Sequence, residues 1–173
     1  DGKVDTWYEY VPAGYDPARK TPLVVSLHGG LMTGWGQAIY TSWTMVAEAN
    51  NFIVAFPDAS SKRVWCVEWG KWRFDGSEGT HTNEAPPPEA QQAPENVLDN
   101  HDVQLLLGLI ERMKQKYNID PERIYMQGMS MGNLMTALFA RSFGNILAGA
   151  AGSGCSSFTN LLFEPDGKVI NKG

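Results

Sequence analysis

The sequence predicts an α/β domain whose mostly parallel sheet carries helices on both faces. Three observations point there. Residues 22–27 and 52–56 are short apolar runs of the kind that form strands buried on both sides. Residues 97–117 place Val103, Leu106, Leu107, Ile110 and Met113 three and four positions apart, the spacing of one helix face. Finally, the apolar strand at 123–127 breaks into Gly128-Met-Ser130-Met-Gly132 and resumes as a helical pattern.

Each element follows in order. Residues 7–12 read as an opening strand, and Gly14-Tyr-Asp16-Pro17 turns the chain into the strand at 22–27, which ends in His28-Gly29-Gly30. A polar, Gly-rich and aromatic loop leads to a helix around 44–50, and the strand at 52–56 is closed by Pro57-Asp58. This βαβ alternation implies parallel pairing. Residues 60–95 break the rhythm with Trp65, Trp69, Trp72 and Phe74 followed by a run of prolines, and read as an excursion over the surface. The helix at 97–117 restores it, Asp120-Pro-Glu opens a turn before the next strand, and residues 134–143 form the helix after it. A small-residue strand is expected at 146–151 and a hairpin around Asp166-Gly167. With no internal repeat or domain boundary visible, residues 1–173 read as one domain.

Composition narrows the function classes. A chain of 173 residues, 43% hydrophobic and 19% charged, holds enough apolar surface for a real core and does not fit the disordered class. Its apolar runs fall well below the ~18 residues of a membrane helix, so no membrane partner is expected. The net charge of -5, without clusters of Lys or Arg, argues against nucleic acid and acidic polymers as partners. Cys66 and Cys155 permit one disulfide, although two buried thiols are the plainer reading, and they make no metal-like spacing with His28, His81 or His101. Neither metal nor cofactor is expected.

In parallel sheets ligands bind beyond the carboxyl ends of the strands, and both Gly-rich loops fall there. Ser130 sits on a sharp strand-to-helix turn where side chains at 128 and 132 would collide across it, hence the two glycines. A nucleophilic serine needs backbone N–H groups to hold the charge that forms on an attacked carbonyl oxygen, each worth about 3 kcal/mol. Met131, next to the nucleophile, and Gly30, in the turn after the second strand, are the expected donors. Trp35, close after that turn, is the aromatic residue with the best case for touching substrate; packing accounts for Trp65, Trp69 and Trp72 equally well. Asp102 reads as a structural carboxylate despite its neighbour His101, because adjacent helix positions point apart.

These features together resemble the α/β-hydrolases, and within them the esterase branch of polyhydroxybutyrate depolymerase-like, feruloyl and acetylxylan esterases. Four stretches carry the resemblance, all between residues 7 and 152: Tyr8-Glu-Tyr-Val-Pro-Ala-Gly-Tyr-Asp16, Pro22-Leu-Val-Val-Ser-Leu-His-Gly-Gly30, residues 52–58, and Tyr117-Asn-Ile-Asp-Pro-Glu-Arg-Ile-Tyr-Met-Gln-Gly-Met-Ser-Met-Gly132. The resemblance implies hydrolysis of a small or polymer-linked carboxylic ester through an acyl-enzyme on Ser130, an extracellular setting, and a place for His28 in the oxyanion turn, with possible contact to substrate. It also implies a triad in the order serine, acid, histidine, yet no histidine follows Ser130 here. Three readings compete: an amino-terminal part of a larger hydrolase whose remaining part supplies last strands, acid and histidine; a noncatalytic relative that binds; or a site completed by an upstream histidine such as His81. Asp166 is a weak candidate for the acid, since its Asp-Gly turn already explains it. A peptidase or acyltransferase of the same fold would use the same parts.

Overall fold

The computed structural model describes residues 5–60, 63–69, 72–74 and 97–154. In chain order its elements are β1 (Trp7–Tyr10), β2 (Thr21–Leu27), α1 (Gly34–Tyr40), α2 (Trp43–Asn50), β3 (Ile53–Pro57), β4 (Val67–Trp69), β5 (Trp72–Phe74), a 3₁₀ turn (Val97–Asp99), α3 (His101–Lys116), β6 (Ile119–Met129), α4 (Met131–Phe143) and β7 (Gly149–Ser153). The main sheet runs in the order β1-β3-β2-β6-β7, with β1 antiparallel and the rest parallel. A two-stranded antiparallel ribbon, β4 with β5, stands beside it.

Side chains alternate across a strand, so β2 serves two cores. Leu23, Val25 and Leu27 point to one face and join Ile124, Met126, the inner stripe of α3 (Val103, Leu106, Ile110, Met113) and Met135 and Phe139 of α4. Val24 points to the other, with Val54, Phe56 and Ala47 under α1 and α2. The strand order thereby places helices on both faces, as the sequence pattern predicts. Among the described residues nothing covers the second face over β6 and β7, and a groove of about 460 Å³ lined by Val24, Trp43, Phe52, Tyr125 and Ala150 runs along it.

Four elements differ from expectation. Strand β6 begins at Ile119, so the expected Asp120-Pro-Glu turn falls inside the strand, where its pairing with β2 shifts register. The loop after β2 contains a whole helix, α1, which its glycines conceal; Thr33 starts it by accepting from the Gly36 N–H at 3.0 Å, and Asp58 accepts from the Gly34 N–H at 2.6 Å. The expected helix at 97–117 splits at Asn100, whose side chain caps α3 by accepting from Asp102 and Val103. The surface excursion begins inside the protein: Val64, Trp65, Cys66 and Val67 are buried, because Trp65 packs into the core on the α3 side. Most of that excursion, Cys155 and the hairpin around Asp166 lie outside the described residues.

The edge strand β1 is tied to the end of α3 through one carboxylate. Glu9 accepts from Lys116 Nζ and the Tyr117 hydroxyl at 2.6 Å and from Trp7 Nε1 at 2.8 Å. Burial raises the affinity of this carboxyl for its proton, but the three donors outweigh it and hold the pKa below 4.5. The group contributes stability above its unfolded pKa and loses it as pH falls through the depressed folded value. Glu9→Gln is therefore expected to lower the urea midpoint at pH 7 and to lose that effect as pH falls through the depressed folded pKa; an equal loss at neutral and strongly acidic pH would refute the ionic contribution.

Candidate active site

The turn between β6 and α4 is a single residue, Ser130, at φ 52° and ψ -116°. A side chain rarely adopts that conformation, and the surrounding contacts enforce it. Its N–H donates to the Ser153 carbonyl at 2.8 Å, fixing the turn to the end of β7. Its carbonyl accepts from Asn133 and Leu134 at 2.9 and 3.3 Å and starts the helix. The glycines on either side leave no room for more: a Cβ on Gly132 would lie 2.6 Å from the His28 carbonyl oxygen, and one on Gly128 would lie 2.6 Å from the Asn133 nitrogen. The Ser130 side chain is left exposed, and among the described residues its hydroxyl has no hydrogen-bond partner.

Strands β2 and β6 are neighbours, with Leu27 opposite Gly128, so the His28-Gly29-Gly30 loop leaves the sheet beside the turn. The two are in contact, since a Cβ on Gly29 would lie 3.3 Å from Met129 Cε and 3.7 Å from the Met129 carbonyl. Neither the Gly30 N–H nor the Met131 N–H donates to a described residue. Met131 is the first residue of α4, where the helix dipole adds partial positive charge. An exposed hydroxyl on a strained turn, followed by an undonated N–H and flanked by the loop that carries a second, has the parts that nucleophilic attack on a carbonyl needs.

Of the two side chains expected near substrate, Trp35 is 57% exposed and stacks obliquely on Tyr8, with ring centroids 5.6 Å apart. This puts it toward the β1 edge, with β3 and β2 between that edge and β6. His28 has no exposed surface. Its Nδ1 lies 2.7 Å from the Gly29 carbonyl and its Nε2 accepts from the Ala59 N–H at 3.0 Å, which fits a neutral ring protonated at Nδ1. Burial pushes its pKa below the ordinary value, against the pull of the Gly29 carbonyl. His28 thus frames the loop and has no surface to offer a ligand. Trp65 shares that work, donating from Nε1 to the His28 carbonyl at 2.8 Å with its ring 4.9 Å from the imidazole. The sequence gives no sign of this role, because any buried tryptophan in an apolar stretch has the same signature.

His101 starts α3, and its Nε2 lies 4.0 Å from Asp102, which is wholly buried. Asp102 binds backbone rather than any catalytic partner, as its reading from sequence anticipates. His81 and Asp166 lie outside the described residues.

No family model matches the chain. It is 28% identical over 148 residues to poly(3-hydroxyalkanoate) depolymerase C of Paucimonas lemoignei, a match covering 83% of this chain and 30% of that protein. Over 127 residues it is 27% identical to a bifunctional acetylxylan esterase/xylanase of Neocallimastix patriciarum, covering 73% of this chain and 14% of that one. Among solved structures, an acetyl xylan esterase from Aspergillus awamori matches 99% of this chain and 53% of its own length, with a TM-score of 0.63 at 19% identity. The fold is that of the α/β-hydrolases, and the relatives are esterases, as the resemblance in the sequence implies. The chain spans at most 30% of the length of these two curated relatives.

Proposed function

We propose that the protein containing this chain hydrolyses carboxylic esters through an acyl-enzyme on Ser130. The observation that supports this most directly is the Ser130 turn itself: a non-glycine residue held at φ 52° with its hydroxyl exposed, next to the undonated Met131 N–H and near the loop that carries Gly30. Strain of roughly 1–3 kcal/mol persists where surrounding structure enforces it, and here it aims a nucleophile. In the first half-reaction the Ser130 Oγ–H transfers its proton to a base while Oγ bonds to the ester carbon. The carbonyl oxygen takes the negative charge and is held by the N–H groups of Met131 and Gly30. Collapse expels the alcohol, which takes the proton, and water then cleaves the acyl-serine by the same route.

The base and its acid are supplied by residues outside those described. The substrate class proposed is a small or polymer-linked ester, which the names of the depolymerase and acetylxylan esterase relatives support. An extracellular setting goes with that class by resemblance.

Intact mass spectrometry after incubation with a fluorophosphonate tests this reading. One adduct, mapped to Ser130, is the expected result. A folded protein that forms no adduct would overturn the reading in favour of a noncatalytic α/β-hydrolase fold that binds.

A further inference from the structure

The oxyanion loop is gripped from a distance by a carboxylate that the proposed reaction does not use. Asp102 is 0% exposed and lies in the first turn of α3, where the helix dipole favours its charge. Its Oδ1 accepts from the Ser60 N–H at 2.9 Å and its Oδ2 from the Cys66 N–H at 2.5 Å. Next to it, Asn100 Nδ2 donates to the Cys66 carbonyl at 2.7 Å. The start of α3 therefore holds the chain between β3 and β4 at two points.

That same chain holds the loop carrying Gly30. The Ala59 N–H donates to His28 Nε2 at 3.0 Å, Trp65 Nε1 donates to the His28 carbonyl at 2.8 Å, and the Leu31 N–H donates to the Arg63 carbonyl at 2.8 Å. The residues on both sides of Gly30 are thus bonded to Ala59, Arg63 and Trp65, whose neighbours Ser60 and Cys66 are held by Asp102. Arg63 keeps φ 63° within this connection, a conformation that needs such external support.

We propose that Asp102 is a positioning residue for the oxyanion hole, acting through Ala59–Ser60 and Arg63–Cys66 to aim the Gly30 N–H at the carbonyl attacked by Ser130. The inference rests on the ester-hydrolase reading of Ser130 and Gly30. Apolar packing of Trp65 and Val67 would suffice to seat this chain on the core. A buried carboxylate taking two separate N–H groups adds direction, and oxyanion donors depend on direction: a misplacement of ~1 Å costs on the order of 100-fold in rate.

In the intact protein, Asp102→Asn replaces one of the two acceptor oxygens with a donor. Turnover of an aryl acetate per titrated active site is expected to fall about 10- to 100-fold, with KM nearly unchanged, because the lost interaction belongs to the transition state. The rate of Ser130 modification by the fluorophosphonate should fall in parallel. Trp65→Phe removes the Nε1 donor at the other end of the connection and should show the same split. The double variant should be little worse than the poorer single one, since both act through the His28 loop. Should Asp102→Asn not fold, Trp65→Phe alone decides. A reduced number of titratable sites with unchanged kcat per site would mean a merely structural role and overturn the proposal, as would full kcat in either folded variant. Absence of ester turnover in the unaltered protein would sink the ester reading instead.

Discussion

Ser130→Ala is expected to abolish ester turnover, by about 10⁴-fold or more, while leaving the fold intact. The size follows from the role: without Oγ no acyl-enzyme can form, and what remains is whatever the open N–H groups and binding contribute. The neutral effect on folding follows from the geometry. The backbone of Ser130 makes the structural bonds, through its N–H to Ser153 and its carbonyl to Asn133 and Leu134, and the side chain makes none among the described residues. A second substitution separates the two roles further. Glycine accepts φ 52° and ψ -116° readily, so Ser130→Gly should be as inactive as the alanine variant yet more stable than it by about 1 kcal/mol or more. Stability gained where activity is lost is the mark of a strained functional residue. Turnover and fluorophosphonate labelling measured on both variants, with thermal unfolding alongside, check all three statements. Undiminished turnover in Ser130→Ala would remove the serine from the mechanism, and a glycine variant less stable than alanine would remove the strain argument.

How much of this could be read from the sequence depends on how local each signal is. The buried strands β2 and β3 and the stripe of α3 are written as runs and periods, and they emerge where expected. The Ser130 turn is legible because its steric demand falls on two positions, 128 and 132, that only glycine can fill. Helix α1 escapes notice because Gly34 and Gly36 weaken its pattern; Gly34 is there since a Cβ would run into the β3 backbone at Phe56, a contact between segments distant in the chain. Non-local partners also decide His28, Trp65 and Asp102. Sequence separates a structural Asp102 from a catalytic one only by the direction of adjacent helix positions, and says nothing of the Ser60 and Cys66 N–H groups it holds. His28 sits in the turn that the resemblance assigns to it, yet its burial and its bond from Ala59 depend on the return of the chain after β3.

The largest effect on folding should come from Gly132→Ala. A Cβ at that position would stand 2.5 Å from the Leu27 carbonyl oxygen and 2.6 Å from that of His28, distances that atoms of a folded chain do not tolerate. Both obstacles are backbone, one at the end of β2 and one at the start of the His28-Gly29-Gly30 loop, so no rotamer change relieves them. To admit the methyl group, α4 must lift from the sheet, and Met135 and Phe139 would leave the core they share with β2 and α3. The expected loss is about 3 kcal/mol or more, enough to leave little folded protein if the domain has ordinary marginal stability. Gly108 supplies the control within the same chain. It lies exposed in the interior of α3, where an added Cβ would meet nothing within 4 Å, so Gly108→Ala should stabilise by about 0.5–1 kcal/mol through helix propensity alone. Denaturant midpoints of the two variants should therefore move in opposite directions. If Gly132→Ala folds with a midpoint near that of the unaltered protein, α4 does not press against β2 as closely as this structure has it, and the close approach of the Ser130 turn to the His28 loop falls with it. If it is strongly destabilised while Ser130→Ala is not, the two glycine positions carry the steric burden of the turn and the serine between them is free to serve chemistry.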